Sequence, residues 1–262
     1  MVPNSESSTP HWHGAGLSHV GLIRSSNQDA FVVDNELGLW VVADGMGGRA
    51  GGNVASTLTV KALLDDFQRS KHSGSPAVFE QGDGEASVQL RRAIQHADEA
   101  IRGVALEKPE LAGMGTTIVA VVVSSLSPVQ LVIGHVGDSR AYLYRAQELQ
   151  LLTRDHSLVE DLLAKGQISP DEVSTHPQRH ILVRALGIEG QTEPDIAHQA
   201  IQPGDILLLC TDGITKMLSD QQISAHLSLA THSPDDACRE LVSEANERGG
   251  KDNSTAVVIR FS

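Results

Sequence analysis

The 262-residue chain has little cysteine, few aromatic residues and no long apolar run. Its two cysteines, Cys210 and Cys238, are too few for a disulfide framework or a cysteine-rich metal site, so we expect a reduced cytoplasmic protein. No segment approaches the ~20 apolar residues of a membrane-spanning helix, so no membrane partner is expected. Because only two Trp, two Tyr and four Phe are present, the core must rest on aliphatic side chains.

Positive charge is also scarce. Lys and Arg number 20 against 33 Asp and Glu, which gives a formal net charge of −13. Binding to a nucleic-acid backbone requires a positive surface, so the net charge argues against nucleic acid as the main partner. Acidity commonly serves solubility, but carboxylates at particular positions also bind cations. The positions of the acidic residues must decide between these two explanations.

Many short apolar strands joined by short connections predict antiparallel sheets. We expect an α+β fold with a central β-sandwich of two antiparallel sheets, flanked by α-helices on both sides. Residues 1–15 are expected to be a disordered leader, and residues 16–262 a single domain with a flap at about 167–180. A Gly-rich loop is predicted at Gly45–Gly52, and another loop at Thr211–Gly213, after an apolar strand.

Four aspartates stand where an apolar segment meets a loop, close to glycine. They are Asp44, Asp138, Asp212 and Asp252. Taken singly, each Asp-Gly context fits an ordinary tight turn as well as a ligand. Taken together they favour a site, because strands of one sheet bring their ends to a common rim and clustered carboxylates repel unless a cation compensates. Oxygen ligands select Mg²⁺ or Mn²⁺, so the pattern predicts a metal centre.

Arg24 supplies a different chemistry. It lies in the segment RSSNQD just before a predicted strand. A guanidinium group matches two phosphate oxygens and stays charged at any working pH. For a lone arginine, a surface salt bridge is the ordinary explanation, and the residue alone does not displace it.

Seven segments together resemble the metal-dependent protein phosphatase family, PPM or type 2C, in its bacterial branch. They keep the order of the family's motifs and cover roughly residues 16–262. The segments are RSSNQDA (24–30), VADGMGG (42–48), GMGTT (113–117), GHVGDSRAY (134–142), LTRDHS (152–157), TDG (211–213) and DNST (252–255).

The resemblance implies a serine/threonine protein phosphatase that hydrolyses phosphoserine and phosphothreonine with metal-activated water. Two Mn²⁺ or Mg²⁺ ions are expected to bind tightly. Asp44 would bridge them, with the Gly45 carbonyl on one ion and Asp212 and Asp252 on the other. Arg24 would hold the substrate phosphate.

The resemblance also implies a weaker third cation, held by Asp138 and Asp212. Asp29 would act through metal-bound water. Eukaryotic members often carry His where this chain has Met46, which cannot donate a proton. The expected partners are phosphorylated proteins, including a serine/threonine kinase and its substrates, and the chain is expected to be a monomer.

Three alternatives remain from the sequence. A phosphoprotein-binding module without activity would be favoured by loss of a core aspartate, and none is missing. A phosphodiesterase or nuclease could use the same metals, although the acidic composition counts against it. A structural protein whose Asp-Gly pairs only form turns is the third. His135 and His156 lie inside the motifs, but a histidine near an apolar strand is more often packed than catalytic, so neither is given a role.

Overall fold

Two antiparallel β-sheets pack face to face in the computed structural model, and helices cover the outer face of each sheet. This confirms the predicted α+β sandwich. The structure describes residues 11–72, 83–126, 128–188, 190, 192–229 and 233–262. Within those ranges, no helix combines the length and apolar character needed to cross a membrane.

The first sheet has the strand order β1-β11-β10-β7-β8. Its strands are β1 (Trp12–His19), β7 (Arg140–Arg145), β8 (Glu148–Leu151), β10 (Ile206–Cys210) and β11 (Ser254–Phe261). The second sheet has the order β2-β3-β5-β6-β9, and a short β4 pairs with β3. Its strands are β2 (Asp29–Asp34), β3 (Leu39–Met46), β4 (Gly115–Thr116), β5 (Ile118–Leu126), β6 (Val129–Val136) and β9 (Asp195–Ala200).

Helices come in two main groups, one on each sheet. The helices are α1 (Gly48–His72), α2 (Asp83–Glu107), α3 (Leu158–Ala164), α4 (Pro170–Val173), α5 (Asp212–Thr215), α6 (Asp220–Leu229) and α7 (Pro234–Glu247). The first two pack on the second sheet, and the last three pack on the first sheet.

The alternation of side chains along β3 divides the core into layers. Trp40 and Val42 pack between the two sheets, where Trp40 meets Phe261 edge-on at 6.1 Å between ring centroids. Leu39 and Val41 point to the other face and pack under the long helices. Successive residues of a strand face opposite sides, so a strand buried on both faces reads as a continuous apolar run.

Both cysteines belong to the core beneath the last helices. Cys210 and Cys238 are free thiols, and burial raises the pKa of each to about 12. A thiol with such a pKa stays protonated and unreactive at neutral pH. Both cysteines therefore contribute to packing in this core.

The predicted leader is wrong where the structure describes it. Residues 12–15 belong to β1, which pairs with β11 along its whole length. Trp12 donates its indole N–H to the Asn35 carbonyl and packs against Trp40 at 6.3 Å between ring centroids. The single aromatic residue in a polar stretch anchors the strand, so composition alone conceals it. Residues 1–10 lie outside the described residues.

Both predicted loops beside the aspartates are also wrong. Strand β3 continues to Met46 and α1 begins at Gly48, so most of the stretch 45–52 is regular structure. Likewise, Asp212 and Gly213 open helix α5 instead of lying in a loop. At Gly45 and Gly213, the lack of a side chain allows another backbone segment to approach closely.

Candidate metal centre

One pocket at an end of the sandwich collects most of the predicted site residues. Its volume is about 480 Å³. The predicted residues that line it are Arg24, Asp44, Gly45, Asp138, Asp212 and Asp252. Asp29 does not line the pocket; it is buried and lies opposite Asp44 in the β2–β3 ladder.

Both sheets contribute to the pocket. Asp212 follows β10 and Asp252 precedes β11, and these neighbouring antiparallel strands place both residues at the same end of the first sheet. Asp138 lies in the turn from β6 to β7, where the chain passes between sheets. Asp44 lies near the end of β3 in the second sheet. From the sequence we expected the rim of one sheet, whereas the aspartates lie at strand ends of both sheets.

Two threonines fix the backbone of Asp44. The Asp44 N–H donates to Thr117 Oγ1 at 3.0 Å, and the Asp44 carbonyl accepts from the Thr117 N–H at 2.8 Å and from Thr116 Oγ1 at 2.9 Å. The Thr117 hydroxyl also bonds the Ser139 hydroxyl at 2.7 Å, next to Asp138. These bonds satisfy the Asp44 backbone and join the two aspartate positions.

Glycine beside two of the aspartates permits close backbone contact. A Cβ on Gly45 would lie 2.0 Å from the Gly52 carbonyl oxygen, and one on Gly213 would lie 1.9 Å from the Asn253 carbonyl oxygen. Neither glycine has a positive φ. The turn explanation is therefore wrong at both positions, since Gly45 lies in a strand and Gly213 in a helix. The contact at Gly213 holds the segments of Asp212 and Asp252 together.

The pocket carries an excess of buried negative charge. Burial raises the pKa of Asp138 to about 7, and Asp212 adds to the effect. The pKa of Asp44 is also raised well above its usual value. Burial is the largest cause, and repulsion from Asp29, Asp212, Asp138 and Asp252 adds to it, in that order. Carboxylates that destabilise one another in this way favour either protons or a bound cation.

The donor set fits divalent cations. Asp212 Oδ1 is buried and has no hydrogen-bond partner among the described residues. Carboxylate oxygens, a backbone carbonyl at Gly45 and room for water make a site for hard cations. A bound cation would satisfy the buried oxygen and offset the repulsion, so the residues present suit Mn²⁺ or Mg²⁺.

Side chains alone do not complete a coordination shell. Over the ranges that the structure describes, no three His, Cys, Asp or Glu side chains are arranged to hold an ion by themselves. Two of the aspartates instead contact internal cations: Lys216 contacts Asp212, and Arg24 donates to Asp252 Oδ2 at 2.9 Å. For a bound ion, backbone oxygen and water would supply part of the shell, as is usual for Mg²⁺.

Asn253 organises the segment that carries Arg24, a role that the sequence argument missed. Its side-chain oxygen accepts from the Gln28 N–H at 2.8 Å, and its amide nitrogen donates to the Val20 and Ser26 carbonyls at 2.8 and 3.0 Å. The Arg24 side chain itself is 54% exposed and lines the pocket. The only available signal was the polar Asn in the segment DNST.

Asp29 acts on the structure through two hydroxyls. Its Oδ2 accepts from Thr211 Oγ1 at 2.9 Å and from Thr255 Oγ1 at 2.6 Å. Burial raises the pKa of Asp29 to about 7, although the two hydroxyls lower it. The Asp29 carboxylate therefore ties β2 to the strand ends beside Asp212 and Asp252.

The two motif histidines form a buried pair behind the Asp138 turn. Their ring centroids are 4.6 Å apart. His156 Nδ1 accepts from the Gly137 N–H at 3.1 Å, so its Nε2 carries the proton and donates to Asp195 Oδ2 at 3.1 Å. The ring nitrogens of His135 make no well-aligned hydrogen bond within the described part of the chain. Neither ring lines the pocket.

His135 should make the protein sensitive to acid. Burial, then the neighbouring His156, lowers the pKa of His135 to about 3. At a pH below the ordinary pKa of histidine, His135 binds a proton in the unfolded chain but not in the folded one. The free energy of unfolding therefore decreases as the pH is lowered. When the pH is lowered from about 7 to about 5, the free energy of unfolding should decrease by roughly 2 kcal/mol less in His135→Phe than in the wild type. Urea unfolding with chelator measures this difference.

The exposed His11 gives a matched control. His11→Gln should keep the pH dependence of the wild type, because the substitution leaves the buried His135 ring and its surroundings unchanged. The buried aspartates change the pH dependence of stability in the opposite direction to His135. Because all three proteins share these aspartates, their contribution cancels when the variants are compared with the wild type. Equal slopes for the wild type and His135→Phe would show that His135 binds a proton in the folded state.

Comparison with known proteins identifies the family. The sequence profile described as Protein phosphatase 2C matches residues 16–237. The chain belongs to the protein phosphatase 2C family. This confirms the resemblance that the seven segments indicated.

Relatives within the protein phosphatase 2C family are similar over nearly the whole chain. The serine/threonine phosphatase stp of Listeria welshimeri is 38% identical over 242 residues, which is 91% of this chain and 92% of stp. The serine/threonine protein phosphatase PstP of Mycobacterium tuberculosis is 35% identical, over 93% of this chain and 44% of PstP.

Solved structures of the family share the fold. The catalytic domain of PstP in complex with two manganese ions has a TM-score of 0.82 and 32% identity, over 97% of this chain and 99% of that one. Stp1 from Staphylococcus aureus has a TM-score of 0.84 and 32% identity, over 95% of this chain and 94% of that one.

Proposed function

We propose that this chain is a metal-dependent protein phosphatase that hydrolyses phosphoserine and phosphothreonine in proteins. The observation that carries the proposal is the convergence of Asp44, Asp138, Asp212 and Asp252 with Arg24 on one pocket. The names of the similar proteins, serine/threonine phosphatases of the same family, support the substrate class. Mn²⁺ or Mg²⁺ is the proposed cofactor, with two ions bound tightly and a third more weakly.

The aspartates divide the work of holding the cations. Asp44 would contact both tightly bound ions, with the Gly45 carbonyl on one and Asp212 and Asp252 on the other. Asp138 and Asp212 would hold the third. When bound, such cations lower the pKa of water and stabilise negative charge on phosphoryl oxygens.

The remaining residues orient the substrate and the metal ligands. Arg24 would bind two phosphate oxygens, since its guanidinium group is half-exposed in the pocket wall. Asp29 would act indirectly, through the threonine hydroxyls and a metal-bound water. Met46 lines the pocket but has no acidic proton to donate. The leaving oxygen would therefore take its proton from water or from another side chain.

The decisive experiment measures phosphate release from phosphothreonine, phosphoserine and phosphotyrosine peptides, with and without Mn²⁺. We expect Mn²⁺-dependent release from the first two, complete inhibition by chelator and little release from phosphotyrosine. A nucleotide diester is assayed in parallel. Faster diester cleavage would favour the phosphodiesterase alternative, and tight phosphopeptide binding without release would favour the binding module.

Substrate choice and cellular context complete the proposal. We propose that residues 16–262 form one catalytic domain, to which β1 adds residues 12–15.

The flap at 167–180 includes α4, and Ser169 and Glu172 cap the first turn of this helix. The flap ends at His180, which lines the pocket. Such a loop beside a site suits the selection of phosphorylated proteins. Those proteins would include a serine/threonine kinase and its substrates, met by a monomer in the cytoplasm.

A further inference from the structure

Lys216 places a positive charge inside the acidic pocket. It follows α5 directly and lines the pocket, and its side chain is 45% exposed. Its ammonium group contacts Asp212 Oδ2, four residues earlier, where the Lys216 N–H also donates to the Asp212 carbonyl at 2.8 Å. Helical geometry at Asp212–Thr215 thus directs this lysine back to a proposed metal ligand.

The same ammonium group acts on Asp138. The positive charge of Lys216 lowers the pKa of Asp138, against the larger raising effects of burial and of Asp212. Although burial lowers the pKa of Lys216, attraction to Asp212, then to Asp138 and Asp252, raises it above its ordinary value. The ammonium group therefore pairs with Asp212 and lines the same pocket as Asp138.

An ordinary surface ion pair does not explain this arrangement. Exposed pairs join two solvated side chains and contribute little. Here one partner, Asp212, is buried, and its other oxygen has no hydrogen-bond partner among the described residues. Arg24 is engaged with Asp252, so Lys216 is the cation that contacts the Asp212 side of the pocket.

We propose that Lys216 is a tethered cation that occupies the third cation position between Asp138 and Asp212, so that a third divalent ion must displace it to bind. Asp212 Oδ1 stays available to the tightly bound pair. This deepens the proposed function and rests on it, because the position has a catalytic meaning only in a metal-dependent phosphatase. The protein then works with two divalent ions over a wide range of Mn²⁺ concentration.

The test is a titration of the full chain with Mn²⁺ alone, followed by electron paramagnetic resonance and calorimetry. In Lys216→Met, which keeps the length and removes the charge, the third Mn²⁺ should bind about tenfold more tightly, since it no longer competes with an adjacent unit charge. Lys216→Arg should keep weak binding of the third ion. The exposed Lys61→Met is the matched control and should resemble the wild type.

A second readout needs no bound metal. In chelator, Lys216→Met should unfold at a lower temperature than the wild type, because Asp212 loses the ammonium group that pairs with it. It should then gain more thermal stability than the wild type when Mn²⁺ is added. Adding Asp138→Ala to Lys216→Met should remove the gain in affinity for the third ion.

The outcomes separate the inference from the proposed function. Unchanged or weaker binding of the third ion in Lys216→Met, or no third ion in either protein, would overturn the tethered cation. Weaker binding of the two tight ions would instead show that Lys216 orients Asp212. Phosphopeptide hydrolysis is measured on the same samples: a wild type that binds Mn²⁺ but releases no phosphate would refute the phosphatase and leave the titration to decide on Lys216.

Discussion

Asp44→Ala should abolish Mn²⁺-dependent release of phosphate from a phosphothreonine peptide, with a loss of at least about 10³-fold in kcat. Asp44 lines the pocket, and burial together with repulsion from Asp29, Asp212, Asp138 and Asp252 raises its pKa well above the usual value. Without Asp44, the two proposed tightly bound ions would lose the ligand proposed to contact both. Asp212→Ala and Asp252→Ala should have similar effects.

The same substitution should stabilise the metal-free protein. Asp44 has a folded-state pKa above its unfolded value, so its ionisation at neutral pH opposes folding. In chelator at neutral pH, Asp44→Ala should therefore unfold at a higher urea concentration than the wild type, and the difference should vanish as the pH falls through the ordinary pKa of aspartate. An inactive but more stable variant distinguishes a lost metal ligand from a damaged fold.

An exposed aspartate provides the control. Asp235 lies on α7, with 58% of its side chain exposed, and it lines no part of the pocket. Asp235→Ala should retain wild-type turnover and Mn²⁺ affinity. Normal turnover in Asp44→Ala, or an unchanged Mn²⁺ affinity, would remove Asp44 from the metal centre.

The layers of the fold could be predicted from the sequence because they depend on apolar runs. β3, β5 and β10 are apolar on both faces, and a strand covered on both faces shows this pattern whatever it packs against. β1 escaped prediction because its pairing with β11 connects the two ends of the chain. Its stability comes from long-range hydrogen bonds and from the packing of the partly buried Trp12, neither of which leaves a local pattern.

The site was predictable as a set of aspartates but not as a geometry. Asp44 and Asp212 stand beside glycines, and the usual meaning of Asp-Gly is a turn. The physical reason at Gly213 is instead contact with the Asn253 backbone, which involves residues far apart in sequence. Once the stretch 211–213 is taken for a loop, the helical spacing between Asp212 and Lys216 cannot be seen. The position of Lys216 beside Asp212 thus depends on helix α5, and this helix became known only from the structure.

Arg24→Ala should lower kcat/KM for the phosphothreonine peptide by about 10²-fold, because a fork of two charge-assisted hydrogen bonds to phosphate is lost. Arg24→Lys should recover only part of the activity, since an ammonium group is a single point charge. Arg69→Ala, at a side chain that is 72% exposed on α1, is the control and should behave as the wild type.

Arg24 has a second role that must be separated from phosphate binding. Its Nη2 also donates to Asp252 Oδ2, so its loss could act through the metal ligand instead. Inhibition by inorganic phosphate distinguishes the two: if Arg24 binds phosphate, inhibition weakens in Arg24→Ala while Mn²⁺ affinity changes little. Unaltered phosphate inhibition with weaker Mn²⁺ binding would make Arg24 a positioning residue for Asp252. We expect the first result, because the guanidinium group is half-exposed in the pocket wall and has donors beyond the one that Asp252 engages.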